Sequence, residues 1–114
     1  MSLSKSSILP GEERPIVADY IAFEIEGKMV TIPFKMSIGE TKEFHAAGYT
    51  FDGKPAPIYD AKIFIADTRN EVREQTGGFQ FTAMTVGRFV AGAITTTIGD
   101  PLKIVRGFVT IDVV

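Results

Sequence analysis

The closing stretch "GRFVAGAITTTIGDPLKIVRGFVTIDVV", Gly87 to Val114, decides the fold. Its first arm, Arg88–Ile98, alternates without a plainly polar face. Val90, Gly92, Ile94, Thr96 and Ile98 fall on one side; Phe89, Ala91, Ala93, Thr95 and Thr97 fall on the other. Such a segment, rich in β-branched residues, reads as a central strand covered on both sides. Gly99-Asp100-Pro101 supplies a turn, with proline at a position its fixed φ suits. In the returning arm, Val105, Val109, Ile111 and Val113 share one face, while Leu102, Ile104 and Phe108 share the other. Gly107 stands where the dominant face changes, which predicts a glycine bulge.

Working outward, Phe79, Phe81 and Ala83 alternate with Gln80, Thr82 and Met84, and Val86-Gly87 turns the chain into the closing hairpin. "DYIAFEIEGKMVTIPF" has the period of two expected of a hairpin: Ile21, Phe23 and Ile25 on one strand, then Val30, Ile32 and Phe34 after a Glu26-Gly27-Lys28 turn. Pro33 cannot donate to a ladder, so this second strand is an edge near its end. A weaker strand is expected around Thr41–Ala46. In "PIYDAKIFIAD", Tyr59, Ala61, Ile63 and Ile65 oppose Lys62 and Phe64, so the Lys62 face is partly covered. "TRNEVREQTGG" fits either a short capped helix from Thr68 or a polar hairpin strand; Val72 is its single apolar residue.

Seven or eight short strands with turn signals between them, and no helix of useful length, predict one all-β domain. The expected architecture is an antiparallel β-sandwich, with a small flattened β-barrel as the alternative. Residues 1–15, broken by Pro10, Gly11 and Pro15, read as an extended arm, and residues 16–114 as the domain. Phe23, Ile63, Val90, Ile94 and Val109 are expected in one contiguous core. The rhythm of Thr76–Phe81, Gly87–Ile98 and Lys103–Val113 resembles the strand-turn-strand endings of many small bacterial β-sandwich domains, which implies a fold alone.

The composition excludes several functions. A net charge of −2 implies no basic face for nucleic acid or anionic membrane. Without cysteine there are no disulfides, thiolate metal sites or cysteine nucleophile. No stretch approaches the roughly 20 apolar residues of a membrane span, and cytoplasmic and exported locations both stay open. The single histidine, His45, alternates with Phe44, so one points inward and the other outward. A general base needs an orienting partner in reach, and no local spacing places Asp52, Asp60 or Asp67 beside it. His45 therefore reads as dispensable. Asp67–Glu71 lacks the alternating ligands and central glycine of a calcium loop. No cofactor and no metal are expected.

The leading functional reading is a non-enzymatic binding or interaction module, exported or part of a larger assembly. A second is a carrier of a small apolar ligand, in which Ala91 and Ala93 leave space beside Phe79, Phe81 and Phe89 for a cavity. An enzyme acting through His45 is the third. The apolar Phe89–Ala91 face and the arm together predict a homo-oligomer, a dimer.

Overall fold

The structure, a computed structural model, describes residues 16–66 and 69–114. The expected 1–15 arm, and the Asp67 and Thr68 of the helix and calcium-loop readings, lie outside the described residues.

Ten strands form two facing sheets: β1 (Tyr20–Ile25), β2 (Lys28–Met29), β3 (Phe34–Met36), β4 (Thr41–Tyr49), β5 (Pro55–Ala56), β6 (Lys62–Ile65), β7 (Glu71–Gln75), β8 (Gly78–Thr82), β9 (Gly87–Thr96) and β10 (Ile104–Val113). One sheet runs β2-β1-β4-β8-β7 with β5 attached to β4, and the other runs β3-β10-β9-β6. All pairings are antiparallel except β3 with β10. The sandwich is as expected, with ten strands in place of the expected seven or eight and one parallel pair, β3 with β10. The barrel alternative is corrected, because the chain divides into two separate sheets that do not close on each other.

The closing hairpin pairs without interruption from Ile104 opposite Thr96 to Val113 opposite Gly87. The expected bulge at Gly107 is therefore absent. Val105, Gly107, Val109, Ile111 and Val113 keep one phase throughout, facing the other sheet. Gly107 is glycine for another reason: a Cβ there would stand 1.9 Å from the Ile21 carbonyl oxygen of β1. The hairpin end is closed by Thr97, fully buried, whose hydroxyl accepts from Lys103 N–H and donates to the Pro101 carbonyl.

β9 is central but covered on one face only, and its phase is opposite to the one expected. Phe89, Ala91, Ala93 and Thr97 are buried, while Val90 is 49% exposed and Ile94 lies partly covered on the outer face. Phe23, Ile63 and Val109 are core as expected. The choice was made by volume. The six-stranded sheet sends Phe23, Phe44, Phe79 and Phe81 inward, and the small Ala91 and Ala93 of β9 share the buried cluster with those bulky rings. Phe44 and Phe79 stack at 4.8 Å, Phe23 meets Phe79 edge-on at 5.7 Å, and Phe89 approaches Phe81 at 6.1 Å. The face of Phe89 and Ala91 is thus covered by the chain's own second sheet and needs no partner.

Local chemistry explains the remaining elements. Ile25 pairs with Lys28 across a two-residue Glu26-Gly27 turn, both residues at positive φ as a tight primed turn requires. The strand expected over Val30–Phe34 does not form. β2 stops at Met29, and Phe34 begins β3 in the opposite sheet, with Pro33 in the crossing segment. Glu71–Gln75 is the polar hairpin strand, paired to β8, and not a helix. β4 runs three residues beyond the expected end and joins β1 to β8. Gly48 in that extension is forced, since a Cβ would meet the Ala56 carbonyl oxygen at 2.4 Å.

Candidate functional site

The outer face of the four-stranded sheet carries apolar groups that the sandwich leaves uncovered. In register, Phe64 of β6 lies opposite Gly92 of β9, which lies opposite Phe108 of β10. The two phenylalanines are 51% and 56% exposed. With adjacent strands ~4.8 Å apart, the two residues stand about 10 Å from each other across a glycine. Two residues further along the strands, Lys62, Ile94 and Arg106 form a parallel row. Neither Lys62 nor Arg106 has a carboxylate within ion-pair distance among the described residues. The Lys62 ammonium lies 5.6 Å from the Phe64 ring centre. At the far end of the face, Arg88 grips Asp112 through Nε–Oδ1 at 2.6 Å and Nη2–Oδ2 at 2.9 Å. That paired guanidinium holds the Asp112 carboxyl below its ordinary range.

Two hollows adjoin the phenylalanine row. A trough of about 570 Å³ is lined by Phe64, Val90 and Gly92 and reaches Glu74. A cleft of about 580 Å³ is lined by Arg106 and Phe108 together with Ala22, Met29 and Ile32. Its position follows from the topology: β3 pairs with β10 only from Ile111 to Val113, leaving the earlier half of that edge facing β1 and the β2–β3 crossing. Gly92 lines one hollow and its cross-strand neighbour Phe108 the other.

The outer face of the six-stranded sheet is polar. His45 is exposed, with Glu24 directly opposite on β1 and Gly78 opposite on β8. Gly77 separates His45 from Asp60; a Cβ there would stand 3.2 Å from the imidazole and 3.4 Å from the carboxylate. Glu24, His45 and Asp60 all border an open hollow of about 490 Å³. The fold thus gathers two acids around the histidine that sequence spacing did not connect. Glu24 is already engaged, accepting a hydrogen bond from the Tyr49 hydroxyl, and this contact with burial pushes the Tyr49 phenol up to about 12. No group of three or more His, Cys, Asp or Glu among the described residues is disposed to hold a metal ion.

The expected cavity residues Phe79, Phe81, Phe89, Ala91 and Ala93 are together, but as core: each is buried between the sheets. They border neither the trough nor the cleft. The open apolar residues are Phe64 and Phe108, on the alternate phase of their strands. Their signal in the sequence was a large aromatic group sharing a face with Lys62 or Arg106, where a solvated face calls for polar residues.

No family model and no curated protein matches the chain. Among solved structures, the fold is similar to a nucleoside hydrolase-related hypothetical protein from Saccharophagus degradans that is associated with carbohydrate metabolism. The TM-score is 0.52 at 13% identity, over 85% of this chain and 26% of that one. The chain therefore corresponds to about a quarter of that protein's length.

Proposed function

We propose that this chain is a non-enzymatic binding module that takes carbohydrate on the outer face of its four-stranded sheet. The observation that carries the reading is the Phe64–Gly92–Phe108 row. Two half-exposed rings flank an unobstructed strip of backbone, on a sheet whose inner face is fully used by the core. Aromatic faces accept the C–H face of a sugar ring through dispersion and weak C–H contacts, and a β-strand platform holds them in place. The likeness to a protein associated with carbohydrate metabolism supports the ligand class. The openness of His45, and the engagement of Glu24 by Tyr49, support a role without chemistry. A panel of immobilised neutral and acidic glycans tests the reading. Binding to at least one class, lost on Phe64→Ala and Phe108→Ala at unchanged stability, is expected; binding to none refutes it.

A second copy of the chain is the other reading of this face, favoured by the exposure of Val90 and Phe108. A twofold axis over the sheet would cover both. Sedimentation velocity across a concentration series distinguishes a dimer from a monomer that binds glycan.

A further inference from the structure

We propose that the Phe64–Gly92–Phe108 row and the Lys62–Ile94–Arg106 row together bind a linear, β-1,4-linked acidic polysaccharide, lying across the strands with its carboxylates toward Lys62 and Arg106. This rests on the carbohydrate reading and names the class of sugar.

Gly92 is the starting point. Of the other described glycines, Gly27, Gly39, Gly53, Gly77, Gly87 and Gly99 have positive φ. Gly48, Gly78 and Gly107 are pressed against backbone, where a Cβ would fall within 2.4 Å of a carbonyl oxygen. Gly92 has neither reason: a Cβ there would meet only the Gly107 carbonyl oxygen, at an ordinary 3.8 Å. A glycine inside a strand costs roughly 0.5–1 kcal/mol relative to alanine, and neither its backbone conformation nor a close approach calls for it here. What the missing side chain provides is outside the fold, a clear floor between two aromatic rings.

The spacing then selects the ligand. In a β-1,4-linked chain, alternate sugars present the same ring face and the same substituent, so the pattern repeats every two units. The about 10 Å between the backbones of Phe64 and Phe108, two strand spacings, is close to the length of two such units. One sugar stacks on each ring and the intervening one passes over Gly92. Lys62 and Arg106 stand the same two strands apart, so carboxylates on those alternate sugars meet one cation each through charge-assisted hydrogen bonds. Glu74, lining the trough beside Val90 and Ala66, places negative charge away from that row and directs the acidic edge toward the cations. Arg88 does not take part, being held by Asp112.

Isothermal titration of the full chain with a β-1,4-linked mannuronate hexamer, and with the neutral β-1,4-mannose hexamer, tests this directly. At low ionic strength the acidic hexamer should bind at least tenfold more tightly, with the difference narrowing as salt is added. The Lys62→Ala, Arg106→Ala double variant should remove that difference and leave the neutral affinity in place. Gly92→Val should lose both ligands while its thermal midpoint stays level or rises. Should that variant fold poorly, Phe64→Ser and Phe108→Ser, at half-exposed positions, carry the same expectation. Equal affinity for the two hexamers overturns the acidic assignment and leaves the carbohydrate reading standing; no binding of either overturns this proposal, while the carbohydrate reading stands or falls on the wider glycan panel. Binding of poly-glutamate as tightly as the uronate hexamer overturns the proposal in favour of an acidic protein surface. Full affinity retained in Gly92→Val also overturns it.

Discussion

Gly107→Ala should destabilise the domain severely, and the structure fixes how much. The new Cβ would lie 1.9 Å from the Ile21 carbonyl oxygen, 2.6 Å from its carbonyl carbon and 2.9 Å from its Cβ. Ordinary contact begins near 3.4 Å, so β1 must retreat by roughly 1.5 Å. The obstacle is backbone, and β1 is hydrogen-bonded to β2 on one side and β4 on the other, so no rotamer change relieves it. Retreat would also draw Ile21 and Phe23 of the core away from β10. Overpacking a filled core costs about 1–3 kcal/mol, and an immovable partner places this case at about 3. For a domain of about 100 residues that lowers the melting temperature by roughly 12 °C or more. Gly92→Ala, one strand away with free space above it, is the control and should gain about 0.5–1 kcal/mol. Urea unfolding followed by circular dichroism measures both. A Gly107→Ala midpoint within about 0.5 kcal/mol of the parent, at the resolution such extrapolations allow, would refute the account of why glycine stands there.

Phe79→Ala should cost about 3–5 kcal/mol in urea unfolding, because it removes the ring that stacks on Phe44 and meets Phe23 edge-on. Tyr49 should ionise near 12 in an ultraviolet phenolate titration, with its step assigned by Tyr49→Phe, and Glu24→Gln should bring it down. The raised value means its contribution to stability is complete below the ordinary phenol value of about 10 and is lost as pH rises through the folded one. Asp112, held below its ordinary range by Arg88, has the opposite sign: its contribution is complete above the ordinary carboxylate value of about 4 and is lost as pH falls through the folded one. Arg88→Gln should therefore flatten the acid limb of a plot of urea midpoint against pH.

The sequence carried the architecture further than the site, for an identifiable reason. Where one face of a strand is polar, periodicity alone assigns its direction, as at Phe79 and Gln80. β9 has no polar face, so its phase depended on what stands opposite, and that is a property of the other sheet. Four inward phenylalanines there selected Ala91 and Ala93 and left Val90 to solvent. The same inversion moved the apolar surface from the core side, where Phe79, Phe81 and Phe89 were expected to border a cavity, to the outer side, where Phe64 and Phe108 are open. Gly107 and Gly92 were equally ambiguous as letters, each being a glycine inside a strand. Only the distance to the next backbone separates them: 1.9 Å at Gly107 makes it a requirement of packing, and 3.8 Å at Gly92 frees it for something outside the fold. The charges divide in a similar way. Glu24 and Glu43 with His45 lie outside one sheet, and Lys62 and Arg106 lie outside the other, so a net charge of −2 conceals a cationic face. A whole-chain sum argues against polyanions only when charge is evenly spread, and the strand register shows that here it is not.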